Sequence, residues 1–218
     1  MNCLLVAATS LEIAPFLTQL RNTAPKKGPT LNIDVLVTGI GLTASTYAIT
    51  KQIHFKRPDM VIQAGVAGCF DQRIALGSVM AVKQETIADQ SVIELNKLKT
   101  LFDLKLVPHN QFPFNKSWLV NPHVALLKKV KGKAVKGISV NEITTSPVKK
   151  KFYETAFAPV VESMEGAALH YACLMENVPF LQIRAVSNYI GERNKKNWNM
   201  KESIVNLNQA LTRLFNSL

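Results

Sequence analysis

Short apolar runs alternate with helix-like segments along most of the chain. The apolar runs predict strands over residues 2–8, 31–37, 60–64, 77–82, 134–140 and 179–186. Apolar residues three and four apart predict helices over residues 10–20, 42–55, 122–130, 146–157, 163–176 and 200–218. Residues 90–120 show no regular pattern. Strands that alternate with helices predict an α/β fold with a mostly parallel sheet covered on both faces.

Glycines follow the second and third predicted strands. The segments are Thr38-Gly39-Ile40-Gly41 and Gly65-Val66-Ala67-Gly68. Glycine at a strand end lets backbone N–H groups approach a ligand closely, and it also simply turns the chain. Neither segment matches the dinucleotide fingerprint or the phosphate-binding loop. Both explanations therefore stay open for each segment.

Three charged residues stand at strand ends or inside apolar segments. Glu12 is the only charged side chain between Met1 and Arg21, Glu165 opens an apolar helix, and Arg184 lies within an apolar strand. Burial of such groups is costly unless they are paired. Glu165 either complements the helix dipole or binds paired hydroxyls. Arg184 either forms a structural salt bridge, with Glu12 or Glu165 as partner, or belongs to a site at the carboxyl ends of the strands.

Composition excludes several classes of protein. A chain of 218 residues that is 47% hydrophobic is not disordered. Cys3, Cys69 and Cys173 are too few and too far apart for a disulfide scaffold, and the four histidines lack metal-ligand spacing, so we expect neither a metal nor a cofactor. No apolar run reaches the ~20 residues that span a bilayer, and no signal peptide is visible. We expect one globular domain over residues 1–218, soluble and cytoplasmic.

The net charge of +11 raises a second class of function, a nucleic-acid-binding protein. Much of the charge lies at residues 128–136 and 149–151, where it is carried by lysine. Little arginine or aromatic side chain is interleaved there for base stacking. A solvated surface is therefore the favoured interpretation, and steep salt-dependent DNA binding would support the alternative.

The order of the motifs resembles the nucleoside phosphorylase and nucleosidase superfamily. The resemblance rests on Glu12, residues 38–41, residues 64–68, residues 161–168 with Met164-Glu165 at their centre, and residues 184–188. It covers nearly the whole chain outside residues 90–130. It implies a nucleoside phosphorylase-like, three-layer α/β/α fold around a central, mostly parallel but mixed, twisted sheet.

Within the superfamily, residues 162–168, residues 187–194 and Trp198-Asn199 resemble the futalosine hydrolases. Methylthioadenosine nucleosidases usually carry Asp where this chain has Asn188 and Ser where it has Val66. The resemblance implies cofactor-free hydrolysis of an N-glycosidic bond, with futalosine split into hypoxanthine and dehypoxanthine futalosine on a route to menaquinone. The alternatives are a methylthioadenosine/S-adenosylhomocysteine nucleosidase and a purine nucleoside phosphorylase.

The resemblance also implies roles for particular residues. Glu12 would deprotonate the attacking water with Arg184 beside it, and Asn188 would read the purine. Met164 would pack against the ribose and Glu165 would bind its hydroxyls. The purine and water would contact residues of two further segments, namely Gly65, Ala67, Gly68, Ile143 and Thr144.

Relatives complete the pocket with a neighbouring subunit, so we expect a homodimer or larger homo-oligomer and neither a membrane nor a nucleic-acid partner. Arg193, Lys195 and Lys196 form a basic cluster. Either one of them meets the carboxylate at the far end of futalosine, or they belong to a solvated loop.

Overall fold

The computed structural model describes residues 1–22 and 31–218. The strands are β1 (Asn2–Ala7), β2 (Asn32–Val37), β3 (Met60–Cys69), β4 (Val79–Glu85), β5 (Ser91–Glu94), β6 (Lys97–Thr100), β7 (Leu119–Val120), β8 (Val135–Ser139), β9 (Val161–Ser163) and β10 (Phe180–Tyr189). The helices are α1 (Ser10–Asn22), α2 (Leu42–Phe55), α3 (Val124–Leu127), α4 (Pro147–Phe157), α5 (Gly166–Met175) and α6 (Met200–Asn216), with a short 3₁₀ turn at Lys195–Asn197.

The main sheet is mixed and curls back on itself. Its strands follow the order β10-β4-β8-β9-β3-β1-β2, and β10 also pairs with β3. Strand β3 therefore has β10 along one edge, whereas β1 and then β9 share the other. This arrangement closes β10, β4, β8, β9 and β3 into a ring, with β1 and β2 as an extension. The prediction of a mixed sheet with helices is confirmed, but the sheet is more curved than the alternation of elements indicates.

Alternate residues of β1 show how the sheet is covered. Leu5 lies in a core cluster with residues of α1 and α6, whereas Leu4 and Val6 lie in a second cluster with residues of α2 and α5. Successive side chains of a strand point to opposite faces, so helices pack on both sides of this strand. Helix α6 is held against α1 by the Asn208 carboxamide, which donates to the carbonyl of Glu12 at 2.8 Å.

Several predicted elements have different limits. The third strand does not end before residue 65 but runs to Cys69, and residues 90–120 contain the β5–β6 hairpin. The hairpin turns at Leu95 and Asn96, both with positive φ. The helix predicted over 163–176 begins only at Gly166, because the chain first forms β9 beside β3. The predicted Ser146 cap is confirmed, since its hydroxyl accepts from the Lys149 N–H.

In the part of the chain that the structure describes, none of the helices has the length and apolar character needed to cross a bilayer.

Candidate active site

A cavity of about 380 Å³ opens at the carboxyl ends of β1, β3 and β10. Its wall contains both buried polar side chains and exposed apolar ones. The buried set includes Glu12, Thr144, Glu162 and Glu165, and the exposed set includes Leu11, Ile40 and Ile143. The position agrees with the rule that ligands of α/β proteins bind outside the carboxyl ends of strands. The polar side chains therefore lie deep in the cavity, and the apolar side chains lie at its rim.

Glu12 is fixed by three hydrogen bonds from its own surroundings. Its Oε2 accepts from the N–H of Thr9 at 2.9 Å and from the Thr9 hydroxyl at 3.1 Å. Its Oε1 accepts from the N–H of Val66 at 3.1 Å. A carboxylate offers about four lone-pair sites, so one of them stays open to a ligand or water in the cavity.

Glu165 is held between a glycine turn and a buried cation. Its Oε1 accepts from the N–H of Gly41 at 3.2 Å, and its Oε2 lies 3.7 Å from a terminal nitrogen of Arg184. Gly41 has φ of +99°, a conformation that favours glycine. The turn after the second strand therefore bends the chain and also donates an N–H to a side chain of the cavity wall, whereas a contact of this turn with a ligand stays a prediction.

Arg184 is the largest fully buried side chain of the described residues, and its partners answer the question left open by the sequence. Besides Glu165, its guanidinium donates to the Gln63 Oε1 at 2.9 Å. Arg184 is not among the residues that line the cavity. The expected catalytic role of Arg184 beside the attacking water stays a prediction. A buried guanidinium needs acceptors on several sides, and here they keep it behind the carboxylate of Glu165.

Gly65 also lies behind the cavity wall. A Cβ at this position would overlap the guanidinium of Arg184 and lie 2.9 Å from Glu12 Oε1. The interpretation of residues 65–68 as a turn was wrong, because these residues continue β3. Glycine is needed at 65 for the close approach of two side chains to the strand, and its expected contact with substrate stays a prediction.

Asn188 lines the cavity from β10, which pairs with the edge of β3 opposite to β1. A bulge at Ser187 shifts the register of β10, so that Asn188 stands opposite Gly68. The Asn188 Oδ1 accepts from the Ser187 hydroxyl at 2.9 Å, and its Nδ2 donates to the Tyr189 carbonyl at 3.2 Å. Bulges commonly re-aim a side chain beside a site. Each end of the amide keeps one hydrogen-bonding position free.

Glu162 is a lining residue to which the motifs gave no role. Its Oε1 accepts from the N–H of Thr144 at 3.1 Å. Within the described residues, its Oε2 has no hydrogen-bond partner, and neither has the hydroxyl of Thr144. Burial raises the pKa of the Glu162 carboxyl, and the neighbouring Thr144 opposes that rise.

Glu85 is a further buried acid beneath the site, and the sequence gave no sign of it. Its oxygens accept from the Gln182 amide at 2.9 Å and from the Ser139 hydroxyl at 3.1 Å. Ser139 in turn accepts from the N–H of Ala167 at 2.8 Å, in the first turn of α5. Burial raises the pKa of Glu85 to about 7. Lys83 and Gln84 precede it, so it reads in the sequence as an ordinary polar strand end.

The structure brings most of the predicted site residues to one cavity. Those that line it are Glu12, Ala67, Gly68, Ile143, Thr144, Met164, Glu165 and Asn188. In residues 1–22 and 31–218, no three His, Cys, Asp or Glu side chains are grouped so that they could hold a metal ion. Cys3, Cys69 and Cys173 are buried free thiols, and burial raises the pKa of each.

Comparison with known proteins gives one family and two named groups of relatives. A futalosine hydrolase of Thermus thermophilus is 28% identical over 180 residues, which are 82% of this chain and 79% of the relative. A 5′-methylthioadenosine/S-adenosylhomocysteine nucleosidase of Shewanella frigidimarina is 32% identical over 166 residues, 71% of this chain and 68% of the relative.

The fold of this chain also matches the solved structure of one such relative. The structure of a futalosine hydrolase of Helicobacter pylori matches with a TM-score of 0.80 at 21% identity, covering 100% of this chain and 98% of the other. At that identity the match shows a nucleoside phosphorylase-like fold and no more. The model of the phosphorylase superfamily matches residues 29–218, and the chain therefore belongs to the phosphorylase superfamily.

Proposed function

We propose that this chain hydrolyses the N-glycosidic bond of a 6-oxopurine nucleoside, and that its substrate is futalosine, which is split into hypoxanthine and dehypoxanthine futalosine on a route to menaquinone. The observation that carries the proposal is the carboxamide of Asn188 on the cavity wall. Both named groups of relatives are hydrolytic enzymes for purine nucleosides, so N-ribosyl hydrolysis does not depend on the choice between them.

Glu12 acts as the general base. Three donors fix its carboxylate and leave one lone-pair site toward the cavity, where a water molecule would be held and deprotonated. A general base must lie within hydrogen-bond reach of the proton that it removes. Because both oxygens of Glu12 are anchored, the water is held in one orientation toward the sugar.

Glu165 acts on the ribose. Departure of a purine leaves positive charge on the sugar, and hydrogen bonds from the ribose hydroxyls to a carboxylate strengthen as that charge develops. Met164 lies beside it on the wall and packs against the sugar. Arg184 lies 3.7 Å behind Glu165 and is therefore a positioning residue, which holds the carboxylate in place.

Asn188 acts on the leaving base. A departing 6-oxopurine gains a proton at N7, which balances the proton that Glu12 removes from the water, and it keeps an acceptor at O6. The free lone pair of Oδ1 accepts from N7–H, and the free hydrogen of Nδ2 donates to O6. An adenine offers an amino donor in place of O6 and is better matched by a carboxyl group. The amide therefore favours hypoxanthine as the leaving group.

The second candidate function is hydrolysis of methylthioadenosine or S-adenosylhomocysteine. It is favoured by the relative with 32% identity, although that match covers less of both chains. The substitution Asn188→Asp separates the two functions. We expect it to lower kcat/KM for futalosine and inosine, and to leave unchanged or raise that for the adenine forms. An unaltered ratio between the hypoxanthine and adenine forms of one nucleoside would remove Asn188 from base reading.

A further inference from the structure

Glu85 is a fully buried acid at the end of β4, beneath the start of α5. Its carboxylate accepts from the Gln182 amide at 2.9 Å and from the Ser139 hydroxyl at 3.1 Å. Burial of a carboxyl group costs free energy that an apolar side chain would have avoided. Because Glu85 is not among the residues that line the cavity, contact with substrate does not account for its presence. A role for Glu85 must therefore act through its neighbours.

Two glycines let the carboxylate of Glu85 approach the backbone on two sides. A Cβ at Gly166 would overlap both the Glu85 carboxylate and the Gln182 amide. A Cβ at Gly137 would lie 2.5 Å from Glu85 Oε1, which is too close for any side chain. Gly166 is the first residue of α5 and directly follows Glu165. The carboxylate of Glu85 therefore packs against the backbone of the residue next to the proposed ribose ligand.

The first turn of α5 is capped by two serines from outside the helix. Glu165 occupies the N-cap position, where the side chain of the capping residue commonly accepts a first-turn N–H. Among the described residues, the Glu165 side chain makes no such bond. The Ser163 hydroxyl accepts from the N–H of Gly166 at 3.1 Å. The Ser139 hydroxyl accepts from the N–H of Ala167 at 2.8 Å. The serines thus satisfy N–H groups at the helix start and leave the Glu165 carboxylate to the cavity wall.

Glu85 fixes the direction of the Ser139 hydroxyl, on which this cap depends. A serine hydroxyl has one hydrogen and two lone pairs. Because the hydrogen is donated to Glu85 Oε2, the lone pairs are left to accept the N–H of Ala167. We propose that Glu85 is a positioning residue, which caps the first turn of α5 through Ser139 and so leaves the carboxylate of Glu165 free to bind the ribose. This inference rests on the proposed function, because it requires Glu165 to be the ribose ligand.

A purely structural role of Glu85 would have a different effect on activity. Loss of its two buried hydrogen bonds would lower the melting temperature and would reduce activity on every substrate alike. Loss of positioning acts instead on the bonds to the ribose hydroxyls, so a ribo substrate should lose more activity than its 2′-deoxy form. The ratio of kcat/KM for the ribo form to that for the 2′-deoxy form therefore measures the positioning of Glu165. It is measured on whichever of futalosine and methylthioadenosine the wild type hydrolyses faster.

The substitution Glu85→Met keeps the approximate volume of the side chain and removes both acceptors. We expect it to lower the ribo to 2′-deoxy ratio by about 10-fold, the loss that follows when a hydrogen bond to a charged group is weakened. Ser139→Ala breaks the same connection with a smaller change of volume and should lower the ratio as well. Glu85→Gln should keep the ratio. Its amide oxygen accepts from Gln182 and its NH₂ group donates to Ser139, which still accepts from Ala167.

A double-substitution cycle tests whether Glu85 acts through Glu165. In the Glu165→Gln background, Glu85→Met should lower the ratio no further, because the charged ligand that it positions has already been removed. Asn121→Ala is the matched control. Asn121 is 3% exposed, its amide donates to the Phe180 carbonyl at 2.8 Å, and it is not among the residues that line the cavity. This substitution should lower the melting temperature and leave the ratio unchanged.

The outcomes separate this inference from the proposed function. If Glu165→Gln lowers the ratio but Ser139→Ala, or a folded Glu85→Met, keeps it, this inference alone is overturned. An equal loss from Glu85→Met in the wild-type and Glu165→Gln backgrounds also overturns it, as does an equal loss in Glu85→Gln and Glu85→Met. If Glu165→Gln leaves the ratio unchanged, or the wild type hydrolyses neither nucleoside, the proposed function is wrong in that respect and the inference falls with it. A ratio that falls in Glu85→Met and Ser139→Ala, but not in Asn121→Ala, supports the inference.

Discussion

Glu12 and Glu162 are buried carboxylates in the wall of the same cavity, but they differ in the number of hydrogen bonds that they accept. Glu12 receives three hydrogen bonds from Thr9 and Val66, whereas Glu162 receives one from Thr144. The two belong to what we call the acid side of the cavity (Glu12, Glu165 and Arg184) and the amide side (Asn188, Glu162 and Thr144).

The difference indicates a division of work between the two sides. A group that performs chemistry gains from being fixed before substrate arrives, since no reorganisation is then needed in the transition state. A group that selects a base gains from free hydrogen-bonding positions, such as those of Asn188, because the wrong ligand leaves them unpaired and is rejected. The acid side accordingly fits bond cleavage, and the amide side fits recognition.

Among these substitutions, we expect Glu12→Gln on the acid side to cause the largest loss of activity. An amide can hold a water molecule but cannot take its proton, so kcat should fall by ~10²–10⁴-fold while substrate binding persists. Steady-state kinetics and calorimetric binding of futalosine measure the two effects. Glu94→Gln, an exposed acid paired with Lys99, is the control. A kcat above about a tenth of the wild-type value would show that Glu12 is not the base.

A methyl group inserted behind the acid side should also lower activity. Gly65→Ala would push its Cβ into the guanidinium of Arg184 and toward Glu12. We expect kcat to fall by ~10²-fold, the loss that a displacement of about 1 Å produces in a catalytic geometry. Circular dichroism should show the fold retained. Wild-type kcat in this variant would mean that Arg184 and Glu12 tolerate displacement.

The substitution Glu165→Gln should sharpen the assignment within the acid side. It weakens charge-assisted bonds to the ribose hydroxyls, so KM should rise and kcat should fall together, by about 10-fold or more. A 2′-deoxy substrate has one hydroxyl fewer and should lose less than the ribo substrate. Equal losses on both substrates would remove Glu165 from the ribose.

We expect the smallest loss of activity from a substitution at the rim of the cavity, outside both the acid side and the amide side. Arg193 lines the cavity with its guanidinium 5.7 Å from the ring centroid of Trp198, whereas Lys195 and Lys196 do not line it. Arg193→Glu should lower kcat/KM for futalosine severalfold, and less so for inosine, which lacks the distant carboxylate. Lys196→Glu is the control. Equal effects of Arg193→Glu on both substrates would favour a solvated loop.

Element type and order could be predicted from the sequence where hydrophobic periodicity is strong. Helix α2 has the limits that its spacing predicts, and Ser146-Pro147 begins α4 as its capping chemistry predicts. The β5–β6 hairpin could not be predicted, because its turn residues, Leu95 and Asn96, replace the usual Asn-Gly signal.

The site was predictable where a charged residue stood alone in an apolar segment, as Glu12, Glu165 and Arg184 do. The sequence could not show how far behind the cavity wall each of these residues lies. Arg184 lies behind Glu165 rather than in the cavity, and Gly65 makes room for it instead of turning the chain. Both depend on tertiary approach of side chains from different strands, which local sequence patterns do not encode.

The proposed hydrolysis of futalosine is tested by the identity of the base that purified protein releases from futalosine, methylthioadenosine and inosine, with and without phosphate. We predict hypoxanthine from futalosine, with the highest kcat/KM of the three and at a rate that phosphate does not change. Faster release of adenine from methylthioadenosine, or a requirement for phosphate, would contradict it.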